Sequence, residues 1–413
     1  MKNLIKVLLI FISLNVYSQQ KNEYVRSSLH LHLVDDFDFE NGEFVLKSYN
    51  KFNFPENYND HTISERKVKL SEYELTDEEK AVAGKKDNII GDIVKSSVEG
   101  STGGLLKIQD NSMVKLQLDK YISKRKIPFE LVKKWWDIDE NGNFSSSLVG
   151  ERSLQTQSTE LSAIASASGT GSVDQFNKLI NNTFVVFTRL YFVSNEIAAE
   201  AIRQVAYKSA EKLPGMASTL ALKAADKIYE KTSEGFSVWT TAWLYQLDWN
   251  EDTFNLFTST IVDNKIDLEK LESINFKLNF VGQEKATSLV TFSLKKSDKN
   301  RTEQDIFDLS TVRNMDKVLV KLQKEYEVFK PIFPLKDGFS MAAGTKEGIE
   351  GGETFEVLET KNGVYNSIGT MKVDSKKVWD NSWTGENIAP GLTYFKKGNK
   401  KFIPGIHFVR LVK

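Results

Sequence analysis

The stretch TFVVFTRLYFV at residues 183–193 decides the architecture, because its β-branched and aromatic side chains leave no continuous polar face for solvent. It reads as a buried central strand. Gly235 to Trp249 reads as a second strand, with Trp239, Trp243, Tyr245, Leu247 and Trp249 all at odd positions and therefore on one face. Between the two lie a pair of helical stripes. Ile202, Val205, Ala206 and Leu213 form the first, with the small Ser209 filling its remaining turn; Met216, Leu220, Ala224 and Ile228 form the second, and Pro214-Gly215 separates them. Two strands joined by a helical hairpin predict an α+β layer domain in which the helices cover the aromatic face.

Working outward, Leu29, Leu31 and Leu33 alternate with Ser28, His30 and His32, the pattern of a half-buried strand. A polar, loop-rich stretch follows from Asp35 to Asp87. Met113, Val114, Leu116, Leu118, Tyr121 and Ile122, then Pro128 just inside a run with Leu131, Val132 and Trp135, predict two short helices. The small-residue segment from Ser153 to Ser172 reads as a surface connection. Ile274, Phe276, Leu278 and Phe280 alternate, and Val290, Phe292 and Leu294 alternate again beyond Gly282, which predicts a β-hairpin over 274–295. A long helix carries Ile306, Leu309, Val312, Met315, Leu319, Leu322 and Tyr326. Pro331 and Pro334 mark a boundary, after which short glycine-divided strands predict a small SH3-like β-barrel over 331–413.

The 413 residues include no cysteine and only 7 prolines, with 55 basic against 56 acidic residues. Disulfides, thiolate zinc sites and cysteine nucleophiles are thereby excluded, and the charge balance gives no reason to expect a nucleic-acid partner. Lys2 and Lys6 precede the apolar run Val7 to Ile12, and Val16-Tyr17-Ser18 suits signal peptidase, so residues 1–18 read as a secretory signal ahead of an α+β body over 19–330. No later stretch approaches the ~18 apolar residues of a spanning helix.

The segments RSSLHLHL (26–33), NYNDH (57–61), LVKKWWDIDENGNF (131–144), INNTFVVF (180–187), LYQLDWN (244–250) and TKEGIEGGETFEVLE (345–359), with GTMKV and KVWDN after it, occur in an order that resembles an uncharacterised group of exported proteins from Bacteroidota. The resemblance implies export and a two-part architecture, and it implies no activity. The KEG…GGETFEV run followed by SIGTMKV is similar to the small barrel modules of envelope-assembly proteins in flagellar and curli export systems, a likeness of fold alone.

Several constellations are candidates for chemistry. Asp137, Asp139, Asn141 and Asn143 surround Gly142 at the spacing of a calcium loop, with apolar Phe144 in the eighth position. Leu148 stands where such a loop carries its bidentate Glu, so a polar Asn-Gly turn competes with calcium. His30 and His32, two apart on a strand, could join Asp60 or His61 around a metal; an exposed strand face is the alternative. Trp239, Trp243 and Trp249 form a carbohydrate-stacking platform if they face solvent, and a core under helices if they do not. Ser340, Asp374 and His407 follow hydrolase order, but Ala342 replaces the last glycine of a nucleophile elbow. Gly100 to Gly104 lacks the ending of a phosphate loop. The hairpin at 197–232 either packs on the sheet or lies on a membrane surface, and the basic runs Lys124 to Lys126 and Lys396 to Lys401 read as solvated turns.

These readings predict a non-enzymatic exported protein that serves as a structural or interaction component of a periplasmic or outer-membrane-associated assembly, through protein partners or self-association. A glycan- or ligand-binding module with a weak calcium site is the alternative. A hydrolase using paired carboxylates is the third reading.

Overall fold

The computed structural model describes residues 26–35, 42–83, 111–152, 170–211, 213–233, 236–290, 302–361, 364–383, 389–398, 402–404 and 406–412. The expected signal, Gly100 to Gly104 and residues 153–169 lie outside them. In chain order the helices are α1 (Gly42–Asn50), α2 (Asp77–Ala83), α3 (Asn111–Lys124), α4 (Ile127–Trp135), α5 (Ser147–Arg152), α6 (Thr170–Asn181), α7 (Asn195–Ala210), α8 (Met216–Thr232), α9 (Glu251–Thr258), α10 (Leu268–Ser273) and α11 (Glu303–Glu325). The strands are β1 (Ser28–Val34), β2 (Asn59–Asp60), β3 (Lys67–Val68), β4 (Thr183–Ser194), β5 (Phe236–Leu247), β6 (Ile261–Val262), β7 (Lys265–Ile266), β8 (Leu278–Val290), β9 (Ile332–Pro334), β10 (Ser340–Met341), β11 (Thr354–Lys361), β12 (Val364–Lys372), β13 (Thr393–Tyr394) and β14 (His407–Leu411).

The main sheet is mixed, in the order β2-β1-β4-β5-β8, with β3 also on β1. β1 runs parallel to β4, aligning Leu29 with Phe184, while β4, β5 and β8 are antiparallel. Because successive side chains point to opposite faces, Phe184, Val186 and Leu190 pack with α1 and α11, and Val185 and Phe187 pack with α3 and α4. The predicted long helix is therefore present as α11, which lays Phe307, Met315, Leu319 and Leu322 on one face. Its first turn is fixed by a capping box, in which Thr302 Oγ1 accepts from Asp305 N and the Asp305 carboxylate accepts from Thr302 N. Buried Asp308 of α11 accepts hydrogen bonds from Ser48, Gln304 and Lys51, tying α11 to α1 with a charge that has its partners.

Three expectations need correction. β1 is buried along its whole length and on both faces, because β2 and β3 flank its edge and helices lie above and below. Residues 278–290 form one continuous strand instead of a hairpin turned at Gly282: Val281 is an extra residue opposite Leu244 and Tyr245, and the strand passes through it as a bulge. The α7–α8 hairpin does not cover the aromatic face. Val114, Leu118, Tyr121 and Leu131 of α3 and α4 occupy that position against Trp243 and Tyr245, while α7 starts where β4 stops and packs chiefly on α8.

The C-terminal strands form a four-stranded antiparallel sheet, β12-β11-β14-β9, and a two-stranded pair, β10-β13, around a separate core that includes Phe333, Met341, Phe355, Val357 and Val409. Among the described residues these sheets do not close into a barrel. Gly348, at φ +75°, seats this part on α11, where a Cβ would come within 2.3 Å of Val320 Cγ1. Lys324 Nζ donates to Gly348 O beside it, at 3.1 Å.

Gly282 has a different role from a turn. Tyr326, just after α11, lays its ring against this glycine, and its hydroxyl both accepts from Gln283 N and donates to Gln283 O, each at 3.1 Å. One side chain thus satisfies two backbone groups on the outer edge of β8, a device that blunts an edge strand. Gly282→Ala would place a methyl 2.2 Å from the ring and is expected to cost about 1–3 kcal/mol. Tyr326→Phe, which orphans both groups, is expected to cost about 1–3 kcal/mol and to promote aggregation. Urea midpoints measured beside light scattering check this, and two unchanged midpoints would refute the assignment.

Candidate functional site

A groove of about 570 Å³ separates α3 and α4 from residues 272–280. At its floor Tyr245 Oη donates to Asp119 Oδ1 at 2.8 Å, and Lys115 Nζ donates to Asp119 Oδ2 at 2.6 Å. Lys115 and Asp119 stand one helical turn apart on α3, which is why they meet on one side. Phe129, Phe276 and Phe280 form apolar walls, and the Lys115 ammonium lies 4.6 Å from the Phe280 ring centre. Burial, and secondarily the Asp119 charge, raise the Tyr245 phenol above its ordinary pKa, so it stays protonated as a donor. The arrangement suits binding of an amphipathic group. Sequence patterning does not show it, because the two walls are distant in the chain and no motif joins them.

A second polar cluster lies inside the sheet. His30 and His32 point toward α3 and α4, with ring centres 4.1 Å apart, and His32 stacks on Phe187 at 4.9 Å. None of their four ring nitrogens has a hydrogen-bond partner among the described residues. His61 is buried beside them, its Nε2 3.0 Å from Leu131 O and its Nδ1 2.8 Å from Arg152. Since the guanidinium only donates, Nδ1 accepts and the proton sits on Nε2. The expected metal set is therefore brought together only in part: both His61 nitrogens are engaged, and exposed Asp60 turns back to accept from Thr62 N. Among the described residues no group of three or more His, Cys, Asp or Glu could hold a metal ion.

Burial sets the charge state of these rings. Desolvation, with Lys134 and Arg66 adding to it, holds His30 down at about 3, and desolvation holds His61 at about 3 against the opposing bond to Leu131 O. His32 lies well below its ordinary value, also from burial first and then from His30. All three are neutral in the folded protein near neutral pH.

The other candidates resolve individually. Trp243 and Trp249 are buried, and Trp249 Nε1 donates to Asn177 Oδ1 at 2.9 Å, so these two take the core alternative and present no solvent-facing stacking surface; Trp239 is half-buried. Asp139 accepts from Asn141 N, Asn143 N and Asn143 Nδ2 at 2.7–2.9 Å, which makes it the organiser of a turn. Gly142, at φ +75°, lies against the Ile266 backbone, and its carbonyl accepts from Ile266 N at 2.8 Å. Asp137, Asn141 and Asn143 are exposed around it. The glycine of the supposed calcium loop thus serves docking onto β7. Ser340 is buried without a partner for its hydroxyl among the described residues, Asp374 accepts from Lys376 N, and His407 Nδ1 accepts from Ile403 N, so these three form no catalytic relay.

Among the described residues the α7–α8 hairpin carries several exposed large apolar side chains. Leu213, Met216, Leu220 and Ile228 are 45%, 85%, 68% and 52% exposed. Within it, Arg203 pairs with Glu200 at 2.7 Å and lies 4.1 Å from the Tyr229 ring centre, and Tyr207 donates to Asp226. No helix among the described residues is long and apolar enough to cross a membrane. No protein-family model, no curated protein and no solved structure matches the chain.

The three histidines have folded pKa values below the ~6.5 of an unfolded chain, so the unfolded state takes up more protons on acidification. Their contribution to stability is full above pH 6.5 and is lost as pH falls, down to about 3 for His30 and His61, at up to about 4 kcal/mol per pH unit where all three are protonated in the unfolded chain alone. Urea midpoints between pH 7 and 4 should fall steeply, less so in His32→Phe; a flat wild-type profile would exclude this. For the turn, millimolar calcium should leave the melting temperature unchanged while Asp139→Ala lowers it. A calcium-dependent rise abolished by Asp137→Ala would restore the metal reading.

Proposed function

We propose that the chain is an exported, non-enzymatic interaction component of a cell-envelope assembly, docked through the α7–α8 hairpin. The observation that carries this reading is the row of large apolar side chains, Leu213, Met216 and Leu220, turned to solvent on a hairpin that starts at the end of the central strand. Scattered apolar residues are ordinary on a surface, whereas a contiguous row marks an interaction site. Export rests on the Lys2, Lys6 and Val7 to Ile12 pattern and on the resemblance to exported Bacteroidota proteins. The C-terminal strands, read as a small barrel-like module, offer a further surface to partners.

A second reading, ligand binding, is favoured by one observation: a polar floor of Tyr245, Asp119 and Lys115 beneath phenylalanine walls in a groove of ligand size. Under that reading the hairpin is incidental, and the protein acts as a monomer.

The distinguishing experiment is native mass of the tagged full chain from gently solubilised envelopes. The docking reading predicts a discrete particle several times the monomer, and conversion to monomer in Met216→Ser/Leu220→Ser, since each large apolar side chain contributes about 1.5–3 kcal/mol when buried. Recovery of the wild type solely as a soluble monomer, with none in the envelope fraction before solubilisation, overturns docking and transfers the weight to the groove.

A further inference from the structure

We infer that the occupant of the hairpin tip is the surface of a bilayer containing anionic phospholipid; this rests on the docking reading above and specifies its partner. Large apolar side chains stand at the tip of the hairpin facing solvent: Leu213, Met216 and Leu220 are exposed, while Ala199, Ala210 and Ala225 are buried and Leu222 is half-buried. The large apolar groups at the tip are left for a different medium.

Charge is disposed to match that medium. Lys223 and Lys227 follow Met216 by seven and eleven residues, which at 100° per residue puts both within about 20° of it on α8, with Leu220 some 40° away. Both lysines are exposed, as is Lys208 on α7, and none has an ion-pair partner among the described residues. The acids lie elsewhere or are engaged. Glu200 and Asp226 are held by Arg203 and Tyr207 within the hairpin, and Glu196, at the start of α7, accepts from Tyr229. Glu230 sits at the far end of α8, which leaves Glu211 as the exposed carboxylate near the tip among the described residues. The face around Met216 is therefore apolar with lysines beside it, the combination that lies in a headgroup layer: methylenes and apolar side chains enter the boundary region while ammonium groups reach phosphate. Leu213-Pro214-Gly215-Met216 forms the tip, with Gly215 at φ +52°, so the most exposed residue is also among those farthest along the hairpin.

The test is co-flotation of the purified full chain with phosphatidylcholine vesicles, with and without about one-third phosphatidylglycerol, at low and high salt. Binding to the anionic vesicles should exceed binding to neutral ones by about tenfold or more and should weaken with salt. Lys223→Gln/Lys227→Gln should remove about ten- to thirtyfold of that binding, and Met216→Ser/Leu220→Ser should remove association at either salt. These residues are exposed, so matched circular dichroism and melting curves verify that each variant folds. Absence of vesicle binding overturns the inference, as does binding indifferent to both variant pairs. If the wild type nonetheless forms a large envelope particle, the partner is a protein and the docking reading survives alone. A vesicle-free dimer lost in Met216→Ser/Leu220→Ser assigns the tip to a second copy and also overturns the lipid assignment.

Discussion

Burial of β1 and β4 on both faces is the constraint from which the remaining arrangement follows. A strand lined by Phe184, Val186 and Leu190 on one side and Val185 and Phe187 on the other needs two covering layers. α1 and α11 supply one, and α3 and α4 the other. With α3 and α4 seated over Val185, Phe187, Trp243 and Tyr245, the helices inserted between β4 and β5 leave the ribbon at its end. The same two-sided burial encloses His30 and His32; the His32 ring is a flat filler between Phe187 and Tyr121. A neutral imidazole with unpartnered nitrogens is a costly filler. It is tolerated at neutral pH because the neutral form needs no counter-charge, and it links the integrity of the sheet directly to acidity.

Long elements with a strong period are legible in the sequence. β4, β5, the paired helices α3 and α4, the hairpin helices and α11 all lie where their apolar spacing predicts them. The departures have specific causes. Ser28, His30 and His32 alternate with leucines and so read as a solvent face, because polarity in a sequence does not reveal whether a helix will cover it. Gly282 reads as a turn because glycine usually interrupts strands; only the Tyr326 ring, distant in sequence, explains why a strand residue there must lack a side chain. α1 is hidden in a loop-rich stretch, although Val45 and Tyr49, four apart, form the buried stripe that α11 meets. The groove has no signature of its own, since Asp119 and Tyr245 are ordinary residues singly and become a pair only through the packing of α3 on β5.

Amphipathicity carries a similar ambiguity, and the hairpin illustrates it. The stripe through Met216, Leu220 and Ala224 indicates that a face of α8 is apolar, but periodicity is identical whether that face meets a sheet, a partner or a lipid headgroup layer. Within the fold α3 and α4 hold Trp243 and Tyr245 on the aromatic side of β5, and α7 and α8 pack chiefly on each other. Composition along the helix then bears on the partner and the headgroup layer. A protein interface of this size would favour aromatic anchors and depletion of lysine at its centre. The tip instead combines Leu213, just before α8, with Met216, Leu220, Lys223 and Lys227 on one side of α8, and flexible chains ending in ammonium groups fit a deformable, negatively charged layer better than a fixed complementary surface. The groove lies between α3, α4 and residues 272–280, and its lining residues include none from the hairpin, so docking and ligand binding make separable physical demands on the molecule.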